Sequence, residues 1–250
     1  AETLRQEVGY DAEFQLSHAE DCLRSLCGDL AADHTFYVVQ EGFSELVQRL
    51  ADYARRHGAK IETGVTLLGY RADPGGGPCR ARLRARPDPE ARTEETEADA
   101  MVLALPLAAV LRLDGGPPGG AQAAWARQLR GAPLMRLYAA WPEEAGGRPP
   151  WWARKGLRKT TVDRWRPGAE HVQFFIPLGH PRLAMASYSD GDTADWWRAL
   201  ERQDPSGGAL RDALTSELRA AFGPDVPPPE AVFPHYWPAG VHMFAPRPGE

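Results

Sequence analysis

The 250-residue sequence offers few residue patterns that could perform chemistry by themselves. Cys22 and Cys27 lie close together but lack the partner His or Cys residues of a zinc site. His235 and His242 have no spacing that is typical of metal ligands, so we interpret them as structural. The sequence also contains neither a Ser-His-Asp pattern nor an H-E-x-x-H motif. These patterns therefore predict neither a side-chain nucleophile nor a catalytic metal.

Glycine-rich loops can hold phosphate groups when they join a strand to the N-terminus of a helix. The sequence contains no G-x-G-x-x-G motif of that kind. Its cluster of three glycines, Gly75–Gly77, lies between Pro74 and Pro78, without a predicted strand before it leading to a helix. We interpret this cluster as a turn.

The composition is that of an ordinary globular protein, long enough for one large domain or two small ones. Hydrophobic residues make up 43% of the chain, charged residues 25%, and the net charge is -5. This charge argues against a general nucleic-acid-binding protein, which usually carries a basic face. The three cysteines favour a reducing compartment such as the cytoplasm. The longest apolar run, Met101–Val110, is shorter than the roughly 20 residues that a membrane helix needs, so no membrane segment is expected.

The first half of the sequence alternates between strand and helix patterns. Residues 35–39 predict a strand, and apolar residues at helical spacing predict a helix over 43–57. Residues 80–86 alternate as in a half-exposed strand, whereas the acidic residues 90–97 predict a solvated loop. The continuous apolar run 98–106 is typical of a strand that is buried on both faces of a parallel sheet.

The second half predicts an antiparallel-looking sheet flanked by helices. The predicted strands are at 134–141, 171–176, 183–189 and 232–237, and the predicted helices are at 192–203 and 208–222. Strand–helix units followed by such a sheet predict a mixed α/β (α+β) fold.

Four segments, taken in order, carry motifs that belong together. They are F-Y-V-V-Q-E-G-F-S-E-L-V at 36–47, A-D-A-M-V-L-A-L-P-L at 98–107, P-L-M-R-L-Y at 133–138 with A-M-A-S-Y-S-D-G-D at 184–192, and H-Y-W-P-A-G-V-H-M-F at 235–244. In this order and rough spacing, the chain resembles the flavin-containing amine oxidoreductase family, which comprises the monoamine and polyamine oxidases and their relatives. Each segment alone is weakly specific, but the four together span most of the chain.

The resemblance implies part of an FAD-binding Rossmann-like domain plus an antiparallel-sheet substrate domain flanked by helices. Residues 1–34 would be a helical segment of the substrate domain, and residues 35–114 a partial FAD-binding domain. Residues 115–231 would form the substrate-binding domain, and residues 232–250 a strand that returns toward the FAD-binding domain.

The sequence departs from the family pattern where the family holds the dinucleotide. The family begins with a G-x-G-x-x-G motif, which is missing here, and Glu41 replaces the first of its paired glycines. The family's C-terminal flavin segment is also not found. We therefore expect a fragment whose cofactor, FAD, is not retained without a further FAD-binding segment as partner.

The resemblance also implies functional positions. Arg136 falls where many family members place a lysine that holds a water against the flavin, which implies a catalytic role. The alternative is a strand arginine that pairs with a nearby carboxylate. Val65, Pro106 and Trp237 match cofactor-binding positions. For Val65 and Trp237 the alternative is an ordinary core residue.

The substrate cavity is expected to be lined by Tyr138, Phe174, Ile176 and Tyr188, which lie on or beside predicted strands. Aromatic and aliphatic walls suit an amine bound in its neutral form, because burial disfavours a charged ammonium. The alternative is that these side chains are simply core. The pair Trp151–Trp152 either covers the cavity or packs in the core.

The resemblance implies an FAD-dependent amine oxidase, in which hydride passes from an amine to the flavin and oxygen is the acceptor. The expected partner is a small-molecule amine, either a monoamine or a polyamine. Two alternatives stay open. One is a cofactor-less relative that acts as a binding or scaffold protein, and the other is a flavoprotein similar to desaturases or porphyrinogen oxidases.

Overall fold

The computed structural model describes residues 12, 16–29, 39–73, 75–86, 92–116, 124, 126, 128–157 and 169–244. The chain divides into two compact units. Ala1–Phe36 with Gln128–Glu250 form one, which we call the four-stranded unit, and Tyr37–Arg127 form the other, the three-stranded unit. The strand predicted at 35–39 lies outside the described residues, apart from Val39.

The helices and strands of the described residues follow in chain order. They are α1 (Ala19–Asp29), α2 (Phe43–Arg56), β1 (Val65–Arg71), β2 (Cys79–Ala85), β3 (Thr93–Ala98), α3 (Leu107–Val110), β4 (Leu129–Ala140), α4 (Trp151–Arg154), β5 (Ile176–His180), β6 (Leu183–Asp190), α5 (Gly191–Gln203), α6 (Gly208–Phe222) and β7 (Ala231–Phe244). With helices and two antiparallel sheets, the predicted mixed α/β class is confirmed.

The four-stranded unit contains an antiparallel sheet with the strand order β5-β6-β4-β7. Helix α5 contacts β4, β6 and β7, and α6 contacts α5 and β7. Because side chains alternate between the two faces of a strand, Met135, Leu137 and Ala139 of β4 are all buried in the core beneath these helices. Arg136 and Tyr138 alternate with them and are only half-buried. We call the face that carries them the outer face.

A cluster of aromatic rings extends the core of this unit. Trp151 lies 5.7 Å from Trp141 and 5.2 Å from Phe175, measured between ring centroids. Trp151 and Trp152 are 2% and 3% exposed, so this pair packs in the core and does not cover a cavity. Large buried rings of this kind contribute much of the apolar area that stabilises a domain.

The three-stranded unit contains an antiparallel sheet with the order β1-β2-β3. The acidic segment predicted as a solvated loop at 90–97 is exposed over its described residues 92–97, but it is not a loop, since β3 covers most of it. Across the ladder, Arg80 is paired with Glu97, and Arg82 with Glu95. Opposite charges on directly opposed residues stabilise a strand pair, and this partner cannot be seen from the acidic segment alone.

The apolar run at 98–106 was predicted to be a strand buried on both faces, and this prediction was wrong. Its residues after Ala98 form no strand, and Val102 is 88% exposed. A strand inside a parallel sheet needs a hydrogen-bonded neighbour on each side. No strand in the described part of this unit pairs with residues 99–106, so apolar composition alone does not make them a strand.

Other elements follow their predictions closely. Helix α2 ends where Gly58 adopts a φ of 88°, the left-handed conformation that a glycine supplies after a helix. Helices α5 and α6 match the predicted 192–203 and 208–222. The strand predicted at 171–176 is shifted, because β5 begins only at Ile176. Within the described residues, the helices are all too short or too polar to cross a bilayer.

Candidate active site

Arg136 lies in the middle of the outer face of the four-stranded sheet. It is paired in register with Tyr188 of β6 on one side and with His235 of β7 on the other. Its guanidinium carbon lies 5.1 Å from the Tyr188 ring centroid and 5.9 Å from the Trp237 ring centroid, within the range of cation–π contacts. The Nε atom is buried and has no hydrogen-bond partner among the described residues. The alternative was that Arg136 pairs with a nearby carboxylate, but no carboxylate in the described part of the chain does so.

Aromatic rings surround this guanidinium group. Tyr138 meets His235 edge to face, with ring centroids 5.6 Å apart. His235 and Trp237 lie at a centroid distance of 6.2 Å with an angle of 27° between their planes. On the other side, Phe174 meets Tyr188 edge to face at 6.1 Å. Arg136 is thus held among rings whose faces attract a cation.

A cavity of about 250 Å³ opens on this face. The described residues that line it are Arg136, Tyr138, Phe174, Ile176, Leu178, Met185 and Tyr188. The structure therefore brings together the predicted catalytic residue and all the predicted substrate-binding residues. Whether they bind substrate stays a prediction. Arg136 supplies the only charge among these lining residues, and the remainder of the wall is aromatic or aliphatic.

Phe174 is held in the cavity wall by a segment that is tied to the helices. Glu217 of α6 accepts a hydrogen bond from the backbone N–H of His171 at 2.8 Å, and its other oxygen lies 3.0 Å from His171 Nδ1. The Trp197 indole N–H donates to the His171 carbonyl at 3.1 Å. Glu170, His171 and Glu217 also bring three possible ligand atoms within 4.8 Å of one another. Because His171 and Glu217 already form hydrogen bonds with protein groups, we interpret this cluster as an anchor for the segment that carries Phe174, and not as a metal site.

The predicted cofactor-binding residues are divided between the two units. Trp237 belongs to the four-stranded unit and is 42% exposed beside Arg136, so it is no ordinary core tryptophan. Val65 begins β1 of the three-stranded unit and is 37% exposed. Pro106 of the same unit immediately precedes α3, and its carbonyl accepts the N–H of Ala109 at 2.8 Å. A cofactor role for these three residues stays a prediction.

Sequence reasoning missed three residues of this face. Leu178 and Met185 line the cavity, and His235, interpreted as structural, contacts the rings of both Tyr138 and Trp237. The period of two along a strand could have revealed His235, because it lies two residues before Trp237. Met185 pairs with Tyr138 only because the register between β4 and β6 shifts between Leu137 and Tyr138, and no local sequence pattern predicts such a shift.

A sequence model of one family, described as flavin containing amine oxidoreductase, matches residues 4–249. The chain belongs to this family. None of the proteins with curated descriptions matches the chain closely enough to count as a relative. Membership in the flavin-containing amine oxidoreductases establishes the general class of flavin-dependent oxidoreductases, with a flavin as the cofactor that the family implies.

The outer face can be tested for its fit to a flavin of this family. A flat, apolar ring system requires a wall of similar character, which Trp237 and Tyr188 offer. Positive charge near the flavin ring tunes its electronics, and Arg136 offers such a charge together with a buried donor that has no described partner. The residues fit the ring end of the cofactor. For the pyrophosphate end, the sequence offers no G-x-G-x-x-G turn that joins a strand to a helix, so we assign no residue to it.

Proposed function

We propose that this chain supplies the substrate-binding wall of a flavin-dependent oxidase that acts on small amines with an aromatic or aliphatic body. The observation that supports the proposal is the cavity of about 250 Å³, in which Arg136 lies among aromatic and aliphatic side chains. Such a cavity, apolar with one polar group that fixes orientation, is the usual form of a small-molecule site.

A bound flavin would supply the redox chemistry, accepting a hydride from the carbon that carries the amine and passing the electrons to oxygen. The side chains of the cavity bind and orient the amine. Tyr138, Phe174 and Tyr188 exclude water, and the positive charge of Arg136 favours the neutral amine because it would repel a second cation in the same cavity. The neutral amine keeps the nitrogen lone pair that stabilises the carbon as hydride leaves.

Arg136 has a different part in this proposal. An arginine stays protonated in proteins, so it cannot accept a proton from the substrate. It can stabilise negative charge on a bound group and donate hydrogen bonds in a fixed direction. The ladder pairs with Tyr188 and His235 hold its backbone, and two ring faces hold its guanidinium group.

The test is reduction by amines without oxygen of the chain reconstituted with FAD and the further FAD-binding segment that we expect as its partner, followed by peroxide release when air is admitted. We expect at least one of phenethylamine, phenylalanine and spermine to remove the absorbance of the oxidised flavin. Replacing Arg136 by Met should slow that reduction by about 100-fold, the scale of losing one preorganised donor. Turnover of a porphyrinogen without any amine would contradict the proposal, as would a bound flavin that no substrate reduces.

Arg198 provides the matched control for Arg136. Its guanidinium carbon also lies 5.1 Å from a tyrosine ring centroid, that of Tyr236, and its Nε is also buried without a described partner. It lies on α5, however, and pairs with Glu201 at 2.5 Å. The Arg198→Met variant should therefore keep the rate of flavin reduction.

A further inference from the structure

The charge of Arg136 is not balanced by the described residues around it. Other arginines of the four-stranded unit pair with carboxylates: Arg182 with Glu230 at 2.5 Å and Arg154 with Glu144 at 2.8 Å. Arg136 is half-buried, has cation–π contacts, and forms no ion pair with a described carboxylate. Ring faces offset only part of the cost of withdrawing a cation from water.

A second cavity, in the three-stranded unit, shows the opposite arrangement. It has a volume of about 330 Å³, and its lining includes three arginines together with Glu95 and Asp114. Arg82 forms an ion pair with Asp114, and Arg80 pairs with Glu97 at 2.7 Å. Protein carboxylates thus already neutralise much of the positive charge there. Among the described residues that line the cavity of Arg136, none is a carboxylate that could take that role.

The charge of the ligand follows from this imbalance. A di- or polyamine would bring further positive charge to an arginine that has no counterion among the described residues. A neutral amine would leave the guanidinium group as it is. A carboxylate would neutralise it and could accept two hydrogen bonds from the planar guanidinium fork.

The size and character of the ligand follow from the walls. A volume of about 250 Å³ lies near the small end of ligand cavities. Phe174, Ile176 and Tyr188 offer ring and branched aliphatic surface to an apolar body. The fitting compound therefore carries one carboxylate on a small aromatic or aliphatic group.

We propose that Arg136 recognises the carboxylate of a small acid with an aromatic or aliphatic body. On the proposed oxidase function, on which this step rests for turnover, the substrate is then an amino acid and not a di- or polyamine. Its carboxylate pairs with Arg136, and its amine is bound in the neutral form. The bound pair then has no net charge, which suits an apolar cavity.

The experiment compares three probes of similar shape and different charge: phenylpropionate, phenethylamine and phenylpropanol. Binding to the purified chain is measured by titration calorimetry without flavin. We expect phenylpropionate to bind about tenfold or more tightly than phenylpropanol, the scale of hydrogen bonds to a charged group, and phenethylamine to bind most weakly. Equal or tighter binding of phenethylamine overturns the proposal, and so does binding of none of the three probes.

Two variants connect the preference to Arg136. Arg136→Gln keeps a polar side chain without the charge and should remove the difference between phenylpropionate and phenylpropanol. Arg136→Lys keeps the charge and should retain part of the affinity difference between phenylpropionate and phenylpropanol. This second variant keeps the inference testable if Arg136→Gln misfolds. Arg198→Gln should keep the whole preference. A preference that survives in Arg136→Gln overturns the assignment.

Failure of this inference can be told apart from failure of the oxidase proposal. Oxidation of phenethylamine without any preference for phenylpropionate leaves the oxidase proposal standing and removes the inference. A clear preference for phenylpropionate without reduction of flavin by phenylalanine supports the inference and contradicts the oxidase proposal. In that case the cavity takes a carboxylate, and the redox proposal fails.

Discussion

The two faces of the four-stranded sheet are built from alternate residues of the same strands and have opposite character. On the inner face, Leu137 is fully buried and packs in one core with Trp197 of α5, which is also fully buried. On the outer face, Trp237 and Phe233 of β7 are 42% and 51% exposed. Both faces are rich in aromatic residues, so aromatic content does not distinguish a core from a ligand wall.

Both sides contain buried donors without a described acceptor, the Trp151 indole N–H and the Arg198 Nε on the inner side and the Arg136 Nε on the outer side, but among these only Arg136 lines the cavity. On the inner side, the Trp141 indole N–H donates to the Pro227 carbonyl at 3.0 Å, and the Trp197 indole N–H donates to the His171 carbonyl at 3.1 Å. On the outer side, the Nε of Arg136 finds no acceptor in the described part of the chain. A buried donor without an acceptor is costly, which makes it a place where a ligand can add stability.

The largest effect on folding is expected from a cavity in the inner face. Replacing Leu137 by Ala should lower the free energy of unfolding by about 2–5 kcal/mol, because a fully buried side chain leaves a void behind. Its neighbour Tyr138 lies on the outer face, so Tyr138→Ala should cost clearly less. Urea unfolding followed by circular dichroism measures both. Equal losses for the two variants would mean that the faces do not differ as described.

An intermediate effect, on binding and not on folding, is expected from the outer face. Tyr188→Ala removes a ring that contacts both Arg136 and Phe174 and should weaken phenylpropionate binding by about 1–2 kcal/mol. Tyr188→Phe keeps the ring and serves as the control, with affinity close to that of the parent chain. Calorimetric titration of both variants with phenylpropionate shows whether the ring or the hydroxyl group of Tyr188 contributes to binding. A loss of affinity in Tyr188→Phe as large as that in Tyr188→Ala would contradict a role for the ring.

The smallest effect concerns the start of helix α6, which covers the inner face. Asp204 accepts hydrogen bonds from the Ser206 hydroxyl at 2.5 Å, the Ala209 N–H at 2.9 Å and the Ser206 N–H at 3.0 Å. These bonds, that of the Ser206 hydroxyl first, lower the pKa of the Asp204 carboxyl. A lowered folded-state pKa contributes stability above the unfolded value of about 3.9 and loses it as the pH falls through the folded value.

Asp204→Ala should therefore lower the melting temperature at neutral pH by a modest amount. The difference from the parent chain should shrink as the pH is lowered from about 4, because the parent chain loses the same contribution. Thermal unfolding at a series of pH values measures this difference. A constant difference down to low pH would show that the carboxylate charge plays no part.

Regular elements were predictable wherever the controlling interactions are local. Helices α5 and α6 were predicted to within one residue at each end. Apolar residues at helical spacing predicted helix α2, whose apolar side chains, such as Phe43 and Leu50, are nevertheless 70% and 60% exposed. Helical periodicity is a property of the backbone, whereas burial depends on what packs against the stripe.

Part of the cavity lining was predictable from the sequence, but its charge balance was not. Alternation along β4 places Arg136 and Tyr138 on one face, and family resemblance added Phe174, Ile176 and Tyr188 to the cavity wall. The place of His235 among the rings was missed, although it follows from the same alternation. Whether a carboxylate pairs with Arg136 could not be predicted, because ion-pair partners come from distant parts of the chain.

The sequence by itself determined which residues share a face, because alternation along a strand and periodicity along a helix follow from local backbone geometry. Only the tertiary structure decided which face the helices cover, that the glutamate-bearing strand 93–98 pairs with an arginine-bearing strand, and that Val102 is left exposed. It also decided that Arg136 stands among rings instead of beside a described carboxylate. Each of these outcomes depends on residues that are far apart in the chain and meet only when it folds.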